Sequence, residues 1–124
     1  MTVALGVGAS RGCPSDELEA LVAAALGEAG LTHADVALLA SADVKAGEPA
    51  LLALARARRW PLRLYTAGML AGVPVPTPSA VVAAHVGTPS VAEASALLAA
   101  GLGAELLVDK RRSAHATCAI AATP

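Results

Sequence analysis

The stretch GVGASRGCPSDE, Gly6 to Glu17, decides how this chain is read. It overlaps the end of Thr2 to Ala9, a run that is apolar apart from Thr2, as expected of a strand buried on both faces. Gly6, Gly8 and Gly12 punctuate it, and Pro14 suits the first position of a helix. Asp16 and Glu17 complement the positive helix start. Leu18, Leu21, Val22, Ala25 and Leu26 then recur along one helical face, and Gly30 stops the helix. A buried strand, a glycine turn and a helix make the opening unit of an α/β domain.

The same unit repeats outward from there. Thr32 to Asp35 has the spacing of a capping box over one short turn. Val36 to Ser41 reads as a second buried strand. The loop ADVKAGEP follows, with Pro49 opening a helix that carries Arg56, Arg58 and Arg59 near its negative end. Pro61 to Thr66 reads as a third strand and Gly68 to Leu70 as a helical turn. Val73 to Ser79 is stiffened by prolines. Thr77 and Pro78 open a helix over Ser79 to Val86, with His85 at its surface or boundary. Ser90 and Glu93 form a second capping box, and Gly101 and Gly103 end that helix. ELLVD and ATCAIAAT are the last strands, joined through KRRSAH as a hairpin. The pattern predicts a single α/β domain over 1–124. Its mostly parallel sheet of about five strands has helices on both faces and an antiparallel C-terminal hairpin. Ligands in such sheets sit beyond the carboxyl ends of the strands. Here that edge carries Gly8 to Gly12, Asp43 to Glu48 and the region of Tyr65.

Composition narrows the function. The 124 residues are 56% apolar but only 2% aromatic, so the core is expected to come from Leu and Val with close, alanine-mediated helix contacts. A formal charge of −1 carries no basic stripe for nucleic acid, and only Trp60 and Tyr65 can stack on bases. Cys13 and Cys118 have no metal spacing and fit a reducing cytoplasm, where the protein is expected. The start lacks a basic signal-peptide region, and prolines break the uncharged stretch between Arg63 and Glu93, so no membrane segment is expected.

Three readings compete for the glycine turn. Gly6, Gly8 and Gly12 give GxGxxxG, a loose dinucleotide fingerprint. The acid that should follow by about 20 residues is Asp43, which comes 35 residues after Gly8. GASRG matches GxSxG, with Asp109 and His115 in hydrolase order after Ser10. Gly12, Cys13 and Pro14, however, separate Ser10 from the helix that a nucleophile elbow needs at once. Ser10 then reads as a turn hydroxyl. The third reading is an anion site. Arg11 lies in the turn before a helix start, with Lys45 on the next strand-end loop. Singly, Arg11 is a solvated charge, Lys45 and Glu48 a loop ion pair, Ser90 and Glu93 a helix cap, and Lys110 to Arg112 a solvated turn. Cys13 at the helix start is either a thiol of lowered pKa or a half-buried turn residue. His33 and His115 have no ligand spacing.

In order, GVGASRG, DVKAGEP, VPTPS, GTPSVAEASA, DKRR and CAIA cover nearly the whole chain. Together they resemble the CobE and CbiG C-terminal domain family of cobalamin biosynthesis, whose matching motifs are GxGxxRG, DxKxxE and GxxSVAEAAA, with Ser95 here replacing an alanine. The resemblance implies a three-layer α/β/α sandwich of the stand-alone CobE form. It implies a role in corrin-ring synthesis, in which the longer CbiG proteins open a lactone on a cobalt-precorrin. The expected ligand is a precorrin or corrinoid polycarboxylate, held by Gly8, Arg11, Gly12, Lys45, Glu48, Ser90 and Lys110. Glu48 and Glu93 are the candidate general bases for a hydrolytic step of the cobalt-precorrin-5A hydrolase kind. A non-catalytic carrier of corrin intermediates is the alternative, ahead of a small nucleotide-binding module. Other enzymes of the pathway are candidate partners. No cofactor, metal, nucleic acid or membrane is expected.

Overall fold

The computed structural model describes residues 1–75 and 90–124. Within them, β1 (Val3–Ala9), β2 (Leu38–Ala42), β3 (Leu62–Tyr65), β4 (Glu105–Arg112) and β5 (Ala116–Ala122) form one sheet in the order β3-β2-β1-β5-β4. The β1–β2 and β2–β3 pairs are parallel, and β5 runs antiparallel to both β1 and β4. Strands β1 to β4 therefore point one way and β5 alone points back. The described helices are α1 (Ser15–Glu28), α2 (Pro49–Arg58), α3 (Ala67–Ala71) and α4 (Val91–Ala100).

Side-chain alternation along the strands gives the sheet two unlike faces. Leu5 and Val7 of β1 and Ile120 of β5 meet Leu18, Val22, Leu51 and Leu54 of α1 and α2. Each such leucine contributes about 1.5–3 kcal/mol by leaving water. The other face presents Ala4, Ala40, Ala119 and Ala121 to Leu70 of α3 and to Ala92, Ala96 and Ala99 of α4. Small residues on both sides let α4 lie close against the sheet. A Cβ on Gly6 would come within 2.0 Å of the Ala92 carbonyl oxygen and 2.7 Å of the Ala96 nitrogen. The alanine excess thus has a place in the fold, and the expected three layers are present.

Local signals set the helix ends. Gly30, at φ +70°, lets Leu31 N–H reach the Leu26 carbonyl at 2.9 Å and its own N–H reach Gly27 at 3.1 Å, which closes α1. Pro49 opens α2, and Ser90 Oγ accepts from Glu93 N–H at the start of α4. Pro14 flanks α1 rather than occupying its first turn, a shift of one residue. A larger difference concerns Lys110, Arg111 and Arg112, which were expected in a turn and instead extend β4. β5 offers them a ladder, with Arg111 paired to Cys118 and Arg112 to Thr117, so the turn shrinks to Ser113–His115. The helix expected over 79–86, His85 and the 76–79 part of the proline segment lie outside the described residues. No helix among the described residues is long and apolar enough to cross a membrane.

Candidate functional site at the carboxyl edge of the sheet

Strands β1 and β2 part at their carboxyl ends. Their ladder stops at Gly6↔Ala40, while β2–β3 continues to Ala42↔Tyr65 and β1–β5 to Ala9↔Ala116. Past that point the Val7 carbonyl accepts a hydrogen bond from the buried Ser41 hydroxyl at 2.6 Å. Two loops flank the opening. Cys13 N–H donates to the Ser10 carbonyl at 3.0 Å and Gly12 has φ +77°, as in a type II turn with Arg11 at its exposed corner. After β2, Asp43–Lys45 makes one 3-10 turn, closed by Ala46 N–H on the Asp43 carbonyl at 3.0 Å, and Glu48 N–H makes the next turn on the Lys45 carbonyl at 2.9 Å.

Glu48 joins the two loops. It is 7% exposed and sits just before α2, and its Oε1 accepts from Gly12 N–H at 3.2 Å. The turn carrying Arg11 is thereby held to the loop carrying Lys45. Neither cation has an ion-pair partner among the described residues, so both charges are available to a ligand. Gly8 lies half-buried at the end of β1, and a Cβ there would meet Thr117 Oγ1 at 2.7 Å.

Ser90, Glu93 and Lys110 occupy a different place. Two residues of β4, Asp109 and Lys110, oppose the single Ala119 of β5, forming a β-bulge. The Lys110 N–H donates to Glu93 Oε2 at 2.8 Å. Glu93 is fully buried in the first turn of α4, so it pins that helix to the bulge. Lys110 lies in the body of the sheet, two strands from β1, rather than beside Arg11. Each candidate base therefore uses a carboxylate oxygen on a backbone N–H.

The joining of Glu17, Ser113 and His115 at this edge was not legible in the sequence. Glu17, in the first turn of α1, accepts from the Ser113 hydroxyl and from His115 N–H at 2.7 Å through Oε2, and meets His115 Nδ1 at 2.8 Å through Oε1. The Ser113 hydroxyl and then the His115 donors hold the Glu17 carboxyl down to about 2. The hairpin tip also touches the glycine turn, because Ser10 N–H donates to the His115 carbonyl at 2.8 Å. His115 is thus engaged by Glu17, and Asp109 is engaged by Arg111, so Ser10, His115 and Asp109 do not assemble as a triad. Burial, then the charges of Glu17, Glu48 and Asp16, push the Cys13 thiol up, the opposite of a helix-start thiolate. Burial pushes Cys118 up to about 12. No group of three or more His, Cys, Asp or Glu among the described residues is arranged to hold a metal.

Fold and edge define an open-sheet α/β protein whose loops gather beyond the carboxyl ends of β1 and β2. The family model described as Cobalamin synthesis G C-terminus matches residues 3–121, and the chain belongs to that family of cobalamin biosynthesis proteins. It is 43% identical over 119 residues to Protein CobE of a Sinorhizobium species, covering 94% of this chain and 77% of that one. The crystal structure of CobE, a protein from the cobalamin biosynthetic pathway, superposes with a TM-score of 0.91 at 38% identity. The match covers 97% of this chain and 89% of that one. Cobalt-precorrin-5A hydrolase of Priestia megaterium is 29% identical over 122 residues, 98% of this chain, which spans about a third (32%) of that longer protein. The family implied by the motifs is therefore the family found.

Proposed function

We propose that the edge between the Gly8–Gly12 and Asp43–Glu48 loops binds a polycarboxylate corrin-ring intermediate. The observation that carries this reading is the Gly12–Glu48 hydrogen bond, which fixes the turn of Arg11 against the loop of Lys45. Acetate and propionate arms are planar anions suited to a guanidinium fork and an ammonium group. Gly8 keeps the floor of the edge low, and Glu48 serves as the brace between the loops. Lys110 contributes at longer range, from the bulge that Glu93 pins. Ser90 contributes by capping α4. The single domain and the pathway enzymes as partners belong to the same reading.

Titration of the purified protein with a corrinoid free acid, followed in the corrinoid absorption band at two salt concentrations, tests it. The expected result is binding that weakens as salt rises, because partly exposed charges are screened over about 8 Å at physiological salt. An amidated corrinoid, with fewer negative arms, binds more weakly. Equal affinity for acid and amide, indifferent to salt, would exclude carboxylate pairing.

A further inference from the structure

Four of the nine cations of the chain, Arg56, Arg58, Arg59 and Arg63, fall within one short stretch, and all four side chains are exposed. Helix α2 starts from the carboxyl end of β2 and runs back, so its last arginines stand at the amino edge of the sheet, where β3 begins at Leu62. Arg63 follows on β3, the last strand in the sheet order on that side. The loops of Arg11 and Lys45 lie at the opposite edge.

Only one of the four charges is compensated. Arg58 meets Glu19 of α1 at 2.9 Å. Arg56, Arg59 and Arg63 have no carboxylate partner among the described residues. The negative end of α2 accounts for a cation in its last turn, but Arg59 lies past that turn and Arg63 on the next strand.

Arg59 also has an unusual backbone. At φ 57° and ψ 37° it is the one non-glycine residue of positive φ among the described residues. Gly30 fills the same place behind α1: Leu31 N–H bonds to the Leu26 carbonyl as Trp60 N–H bonds to the Ala55 carbonyl at 3.0 Å. Glycine takes that conformation freely and a residue with a Cβ does not. A residue held where its backbone is disfavoured points to a use for its side chain, and here that side chain is an exposed, uncompensated guanidinium.

We propose that Arg56, Arg59 and Arg63, with Leu52, form a docking surface for a carboxylate-rich face of a second protein. All the cations are arginines, whose planar forks pair with both oxygens of a carboxylate. Arginine is enriched in protein interfaces and lysine depleted. Leu52 lies one turn before Arg56 on the same helix face and is 37% exposed, so apolar and cationic groups alternate as on a protein-binding surface. The nearby Trp60 is buried, which leaves no exposed ring there to stack on a nucleic-acid base. Because this surface and the ligand loops occupy opposite edges, partner and ligand can be bound together.

The test uses the full chain and two synthetic peptides, one of glutamates alone and one with leucine at every helical turn. Binding is followed by fluorescence anisotropy and by backbone amide shifts. Both peptides should shift residues 56 to 63, and the leucine peptide should bind more tightly. Arg56→Ala, Arg59→Gly and Arg63→Ala should each weaken it about two- to fivefold, the range for an exposed charge pair. Arg59→Gly is the decisive variant, because it places the easier residue in the left-handed position and its loss of binding has no folding explanation. Unchanged affinity in that variant overturns the proposal, as do shifts confined to the loops of Arg11 and Lys45. A single-stranded DNA of equal charge that binds as tightly at the arginines overturns the assignment to a protein. The corrinoid titration of Arg59→Gly keeps the two readings apart, since it should match that of the wild type whatever the peptides do.

Discussion

Gly6 and Ala92 approach so closely that a methyl group on Gly6 would lie 2.0 Å from the Ala92 carbonyl oxygen. That oxygen is helix backbone and cannot rotate away, so α4 as a whole would have to move. Gly6 serves the contact between β1 and α4, and the GxGxxxG spacing follows from packing as well as from the turn.

Gly6→Ala should therefore destabilise the protein by about 1–3 kcal/mol or more, the range for inserting a methyl into a filled core. Gly27→Ala is its control. Gly27 lies in α1 with nothing within 4 Å of an added Cβ, and there alanine should stabilise by about 0.5–1 kcal/mol. Urea unfolding midpoints, with unchanged slopes, measure both. Equal midpoints for the two variants would refute the close contact.

Glu48→Ala should release the glycine turn. It removes the acceptor of Gly12 N–H, a charge-assisted bond of about 1.5–3 kcal/mol. Glu48→Gln keeps a carbonyl oxygen in place and should lose less. Amide exchange at Gly12 reports this directly, rising steeply in the alanine variant and modestly in the glutamine variant. Unaltered exchange in both would mean the two loops are held by something else.

Acid should weaken the hairpin clasp. The Glu17 carboxyl lies near 2 in the folded chain, below its ordinary 4.5, because Ser113 and His115 donate to its charged form. Between those values the unfolded state binds the extra proton, so stability rises with pH there. The contribution is complete above about 4.5 and is lost as pH falls toward 2. Glu17→Gln should flatten that part of the stability curve, and Glu19→Gln should not. Parallel curves for wild type and Glu17→Gln would count against the clasp.

Arg11→Ala should weaken corrinoid binding by about ten- to a hundredfold, equivalent to about 1–3 kcal/mol. Lys45→Ala should lose less, since its ammonium keeps more of its hydration. Ser10→Ala should leave affinity intact, because the Ser10 backbone makes the turn bonds and its hydroxyl makes none among the described residues. Calorimetric titration of the three variants gives the order, and an Arg11 variant as tight as wild type would move the site elsewhere.

Local chemistry made much of this legible. Gly12, Gly30, Pro49 and Ser90 each announce a turn or helix end through their own backbone or side-chain preference, and each stands where that preference puts it. The loops of Arg11 and Lys45 were placed on one edge because each follows a buried apolar strand. What stayed hidden depends on partners remote in sequence. Glu17 and His115 are 98 positions apart, so nothing near either residue signals the other. Lys110 to Arg112 look like a solvated turn until β5 supplies a ladder for them. Glu93 has the position of a capping residue, and only the bulge in β4 shows which backbone N–H it holds.

The strand latest in sequence, β5, fills an interior slot between β1 and β4, not an edge. The pairing of Val3 with Ala122 must therefore close nearly the entire chain into one loop. Loop closure costs entropy that grows slowly with length, but the search for such remote pairings is slow. Until β5 docks, β1 exposes a row of unpaired backbone groups at what will become the centre of the sheet. A chain in which only the α1–β1–β2 half has formed is therefore open-sided along β1, an edge able to pair with other strands until β5 covers it.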